Sequence, residues 1–168
     1  KIRDIRVDFR KEHGWAPALI EDGAHSIGTK YKGKFLGNHG NFVMNSLQAI
    51  KHITAVDGGI LYCPHEDLYE RAKLLRWYGI DRNPKGRTDF RCEADIEEWG
   101  FKFHMNDLCA AIGMENFKSV DTIVAKHKEN ASYYDENLKD VNGVTLLKRE
   151  KGFESAFWIY TMLVDDRP

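Results

Sequence analysis

Hydrophobic positions in this chain come in short groups separated by glycine and charge. Ile2, Ile5 and Phe9 recur at helical spacing, and His13-Gly14 ends the pattern, so residues 1–13 read as the back half of a helix. "ALIEDG" predicts a short buried strand with acids at its carboxyl end. "TKYKGKFLGNHG" predicts a polar hairpin or loop turning at Gly33 and Gly37. "NFVMNS" and "GGILYC" predict two more strands, the second closed by Pro64. From His65 to Tyr78 the positions Leu68, Ala72, Leu75 and Trp77 predict a helix packed on one face and stopped by Gly79.

The second half reads differently. Residues 80–99 are polar and punctuated by Pro84 and Gly86, the pattern of a long exposed loop. Helices are expected over Met105–Phe117 and over about 119–139. "GVTLL" and "FWIYTMLV" are expected as later strands of a small α+β unit. Early strands alternating with helices favour an α/β sheet.

Composition adds exclusions. Lys+Arg number 25 and Asp+Glu 26, giving a formal net charge of −1, so bulk charge makes no case for nucleic acid or an anionic membrane. Hydrophobic residues are 42% and charged residues 30%, the balance of a soluble globular protein, and no apolar run reaches the ~18 residues of a membrane span. Cys63, Cys92 and Cys109 are far apart and have neither metal-ligand spacing nor a disulfide framework, which makes a reducing cytoplasm the default. The chain opens inside a helical pattern and stops just after "FWIYTMLV", and is read as an internal piece of a longer protein.

Four positions carry candidate chemistry. Asp22 follows Ala18, Leu19 and Ile20 at a strand's carboxyl end, where ligands of open α/β sheets sit. There it can hold a cationic ring nitrogen, or simply cap the Asp-Gly turn. His25 is a polar ring three residues on. Ser46 offers a hydroxyl to phosphate. Lys51, between Ile50 and His52, can form a Schiff base with an aldehyde, or be a solvated surface lysine. Gly58-Gly59 permits a close backbone approach or a positive φ. Taken in order, these residues meet the demands of pyridoxal phosphate: an amine for its aldehyde, an acid for its ring nitrogen and donors for its phosphate.

"LIEDGAHSIGTKYKGKFLGNHG", "SLQAIKHITAVDGG", "LRWYGIDR" and "GFKFHMNDLCAAIG" together resemble the DegT/DnrJ/EryC1/StrS family of sugar aminotransferases, over nearly the whole chain. The resemblance implies an aspartate aminotransferase-like fold (fold type I). Residues 1–118 would be part of the cofactor-binding large domain, with a mostly parallel sheet. Residues 119–168 would be a connecting helix and the start of a C-terminal α+β domain. It implies that Asp22 pairs with the pyridine nitrogen, that His25 lies near the ring hydroxyl, that Ser46 binds the phosphate and that Lys51 is the Schiff-base lysine and proton carrier. Lys102 and His104 stand where the family commonly has Asn and Arg, so Lys102 is a candidate phosphate contact to a partner subunit.

The function implied is transfer of an amino group, from L-glutamate or another amino acid, to a nucleotide-linked keto-deoxysugar. The enzyme would be a cytoplasmic homodimer with shared sites. A sugar dehydratase carries His at the lysine position, and the retained Lys51 argues against that alternative. A non-catalytic regulatory protein on the same fold is the other. Arg76, Tyr78 and Arg82 are weighed as diphosphate ligands against a plain helix end, and are left out of the site.

Overall fold

The computed structural model describes residues 1–82 and 96–165. In chain order the elements are α1 (Ile2–His13), β1 (Ile20–Asp22), β2 (Lys30–Tyr31), β3 (Lys34–Phe35), β4 (Phe42–Ser46), β5 (Gly59–Tyr62), α2 (Glu66–Leu75), α3 (Asp107–Phe117), α4 (Val120–Leu138), β6 (Val144–Leu146), β7 (Phe153–Glu154) and β8 (Met162–Val164). Most of the polar loop expected over 80–99, with Cys92, lies outside the described residues.

β1, β4 and β5 form the sheet that positions the site, with β4 in the middle. β1 runs parallel to β4, with Asp22 opposite Met44, and β4 runs antiparallel to β5. Of the mostly parallel sheet expected, the described residues hold one parallel ladder, β1–β4, and their other ladders are antiparallel. Connection explains this. A parallel pair needs a crossover, and segment 23–41 supplies it, whereas β4 returns to β5 through the loop 47–58.

The expected hairpin is β2–β3. Lys32 (φ 49°) and Gly33 (φ 75°) sit at its turn, the positive-φ pair that suits a two-residue connection. α1 ends at Gly14 in the left-handed conformation. Its apolar positions Ile2 and Ile5 are 66% and 68% exposed, while Phe9 on the same face packs against Trp15. α3 starts at Asp107 rather than Met105, because the Asn106 side chain accepts the Cys109 N–H at 2.8 Å and fixes the N-cap.

The C-terminal region departs most from expectation. "FWIYTMLV" is not one strand: only Met162–Val164 pairs, with β6. Phe157 has φ +52°, which no strand tolerates, and the chain turns there. The pairing of β7 with β2 was not anticipated, and it ties residues 153–154 back to 30–31. Beside it, the Ala156 N–H donates to Thr29 Oγ1 at 3.1 Å. Gly28 (φ +84°) allows the close packing, since a Cβ there would stand 2.7 Å from Val124 Cγ2 on α4.

The core lies beneath the loop 47–58. Ile27, Leu47, Ile53 and Ala55 form a buried cluster, packed by Ile60, Met105, Cys109 and Val120. The segment that carries Lys51 therefore carries part of the core as well.

Candidate active site

Asp22 stands at the carboxyl end of β1, and its Oδ1 accepts the Ala24 N–H at 3.0 Å. The turn-capping role and an exposed carboxylate thus coexist at one residue. The turn is anchored to β4. The Gly23 N–H donates to Met44 O at 2.8 Å, and the Asn45 side-chain amide donates to Gly23 O and, at 3.0 Å, to Ser26 Oγ. Only glycine fits at 23: a Cβ would meet Ser26 Oγ at 2.6 Å and Met44 O at 2.9 Å. Asn45 is 6% exposed and was not singled out from the sequence. Its signal was there, because in "FVMNS" it shares the parity of buried Val43. A polar residue on the buried side of a strand asks for partners.

Ser46 ends β4, and its Oγ accepts the Gln48 N–H at 3.2 Å. Because β1 and β4 are parallel, Asp22 and Ser46 emerge at the same end of the sheet. The loop that follows is closed at its base by Leu47 N–H to Gly58 O and Ala55 N–H to Leu47 O, both 2.8 Å. Within it, the Lys51 N–H donates to Gln48 O at 3.0 Å. Gly58 adopts φ +136°, and a Cβ on Gly59 would stand 2.9 Å from Asn45 O. The glycine pair thus serves both uses expected of it.

Lys51 is half-buried, with exposed Ile50 before it and buried His52 after it. Its Nζ lies 4.1 Å from the centre of the Trp158 ring. His25 stacks on the same indole, ring centres 4.0 Å apart and planes 31° apart. The indole N–H donates to Ile50 O at 2.9 Å. Trp158 thus joins two predicted positions that are distant in sequence. Sequence reasoning missed it, since a tryptophan inside an apolar run looks like any strand residue.

Lys102 is held on a different piece of structure. It forms an isolated antiparallel bridge with Trp77, flanked by Tyr78 N–H to Phe101 O at 3.0 Å and Phe103 N–H to Arg76 O at 2.9 Å. The His104 ring meets Trp77 edge-on at 3.6 Å, and the Arg82 guanidinium lies 4.6 Å from the Trp77 ring centre. Loss of water, then the cations Lys102, Arg76 and Arg82, hold the His104 imidazole below its ordinary range, while Asp107 opposes them.

A cavity of about 770 Å³ opens beside this cluster, walled by Leu47, Ile53, Arg76, Trp77, His104 and Met105 among others. None of Asp22, His25, Ser46 or Lys51 lines it, and none lines the second cavity of about 1000 Å³. The candidate residues Asp22, Ser46 and Lys51 thus lie at the sheet end, apart from both hollows.

The fold and this layout define the class first: an α/β portion of a fold type I aminotransferase. The chain belongs to the DegT/DnrJ/EryC1/StrS aminotransferase family, whose sequence model matches residues 8–168. It is similar to the UDP-4-amino-4-deoxy-L-arabinose–oxoglutarate aminotransferase of Shewanella sediminis (strain HAW-EB3), with 35% identity over 134 residues, 77% of this chain and 34% of that protein. Its structure superposes on AtS13 from Actinomadura melliaura with a TM-score of 0.92 at 47% identity, covering 99% of this chain and 44% of that one. The sugar aminotransferase CalS13 from Micromonospora echinospora gives 0.90 at 38% identity, again covering 99% and 44%. The chain therefore spans less than half the length of each of these proteins.

Proposed function

We propose that the protein carrying this chain is a pyridoxal phosphate-dependent aminotransferase acting on a nucleotide-linked keto-deoxysugar, in surface-polysaccharide or glycoside biosynthesis. The amino donor is an amino acid, L-glutamate in the first instance. The observation that carries this reading is the placement of Lys51. Its amine stands on a closed loop at the sheet end that also presents Asp22 and Ser46. The similarity to the UDP-4-amino-4-deoxy-L-arabinose–oxoglutarate aminotransferase of Shewanella sediminis supports the substrate class.

The donor set fits the cofactor. Asp22 uses one oxygen in its turn and stays exposed, so the carboxylate remains available to a ring nitrogen. Ser46 Oγ accepts from the backbone, which leaves its own O–H to donate to phosphate. His25 would flank the ring hydroxyl. When bound, the cofactor supplies an aldehyde carbon and an electron-withdrawing ring. Asp22 would hold a proton on the ring nitrogen by its charge. Lys51 Nζ would first hold the cofactor covalently. Once displaced by the incoming amine, it would take and return the proton that moves during transfer. Donor and acceptor would react in turn at one site.

Family habit further supports a homodimer, with Lys102 as a phosphate contact reaching a partner subunit, and a cytoplasmic enzyme. No helix among the described residues is long and apolar enough to cross a membrane.

The test is covalent mapping. Whole protein incubated with pyridoxal phosphate and reduced with borohydride should carry the label at Lys51. Lys51→Ala should abolish both the label and amino transfer. Amino transfer that continues unchanged without Lys51 would refute the assignment.

A further inference from the structure

The Lys51 loop is completed by residues that nothing above has given a role. Trp158 touches it twice, its ring meeting Lys51 Nζ and its N–H reaching Ile50 O, and it also packs against the His25 ring. Trp158 follows Phe157, whose φ of +52° is rare for an aromatic residue and persists only where surroundings enforce it. Those surroundings are visible. Phe157 O sits 2.9 Å from His127 Nδ1 on α4, and the Arg149 guanidinium lies 4.4 Å from the Phe157 ring centre. The His127 ring in turn meets His52, the residue after Lys51, edge-on at 4.5 Å. His52 is 7% exposed. Lys51 is therefore bracketed, by Trp158 on its side chain and by His52 on its backbone, and the two brackets meet at the Phe157 carbonyl, one through the peptide bond to Trp158 and the other through His127.

We infer that Trp158 is a positioning residue for Lys51, kept in place by the His52–His127–Phe157 contact. The indole face gives the ammonium a resting place whenever it is not bonded to an aldehyde, and the N–H to Ile50 O sets the height of the loop. The same indole packs against His25, so one side chain from the far end of the chain contacts two site residues. This rests on reading Lys51 as the reacting amine. It needs no cofactor to be tested.

The experiment is site-mapped labelling of the cofactor-free protein with trinitrobenzenesulfonate. Mass spectrometry compares Lys51 with exposed Lys34 and Lys148 in the same sample. Trp158→Leu should raise the Lys51 rate by about two- to fivefold relative to those lysines, the loss expected of one cation–π contact. Trp158→Phe keeps a ring face and should retain most of the protection, a rescue that loss of generic packing would not show. His127→Leu leaves the indole intact but releases Phe157, and should raise Lys51 labelling as well. It also keeps the test open should Trp158→Leu fail to fold. Lys51 labelling unchanged in whichever of these two variants folds would overturn the inference. The outcome is separable from the proposed function: a Lys51 that never captures pyridoxal phosphate would still report whether Trp158 shields it.

Discussion

Asn45 offers the sharpest test of how the site is held. Its amide is buried and donates to Gly23 O and Ser26 Oγ, so it staples the Asp22 turn to β4. Asn45→Ala removes two hydrogen bonds, each worth about 0.5–1.5 kcal/mol net. Gly23 O is not orphaned, because the Ser26 N–H (2.9 Å) and Oγ–H (2.8 Å) also donate to it. The loss should therefore fall in the lower part of the range, about 1–2 kcal/mol. Asn45→Asp is nearly the same shape but swaps the donor for an acceptor. It would face Gly23 O with a buried carboxylate, which costs more than a missing bond. The expected order of stability is wild type, then Ala, then Asp. Urea unfolding at neutral pH reads it, and borohydride trapping of pyridoxal phosphate should fall in the same order as the turn loosens. If Asp proves as stable as Ala, the staple is not a donor to Gly23 O, and the reasoning fails.

Three further outcomes are expected. Asp22→Asn keeps an oxygen for Ala24 N–H, so stability should change by no more than about 0.5 kcal/mol, while turnover should drop by about 10² or more as the ring nitrogen loses its anion; unchanged steady-state turnover would remove Asp22 from that role. His52 is held below its ordinary value of 6.5 by burial and then by His127. Its neutral form is the folded one, so its contribution is complete above that value and is lost as pH falls through the folded pKa. Thermal melts across that window should decline less steeply in His52→Asn. Gly58→Ala places a Cβ at φ +136°, 2.5 Å from Met105 Cε, and should cost about 1–3 kcal/mol by urea titration and lower cofactor trapping, since Gly58 O closes the Lys51 loop.

Much of this was legible because local pattern and local chemistry agree. The "DG" after an apolar triplet marks the β1 turn, and its glycine is required by a close backbone contact. "KG" marks the hairpin. In "SLQAIKHITAVDGG" the glycine pair is legible as a close backbone approach and a positive φ, whereas the burial of Leu47, Ile53 and Ala55 is seen only in the fold. What stayed hidden is non-local. No periodicity announces that Phe153–Glu154 pairs with Lys30–Tyr31, because two-residue strands carry no period. "FWIYTMLV" reads as a strand until the Phe157 backbone is seen, and a positive φ at an aromatic residue has no sequence sign. The partners of the β4 parity break at Asn45 are equally invisible, although the break itself can be read.

The bond from Trp158 to Ile50 links residues 108 apart in sequence, and that from Ala156 to Thr29 links residues 127 apart. On a ribosome making about 5–20 residues per second, Lys51 emerges roughly 5–20 s before the indole that covers it. For that interval the nascent loop presents an uncovered amine beside a half-built core. Contacts of such long range also form late in folding. A segment made some hundred residues after Lys51 is therefore the one that turns a surface lysine into a held one.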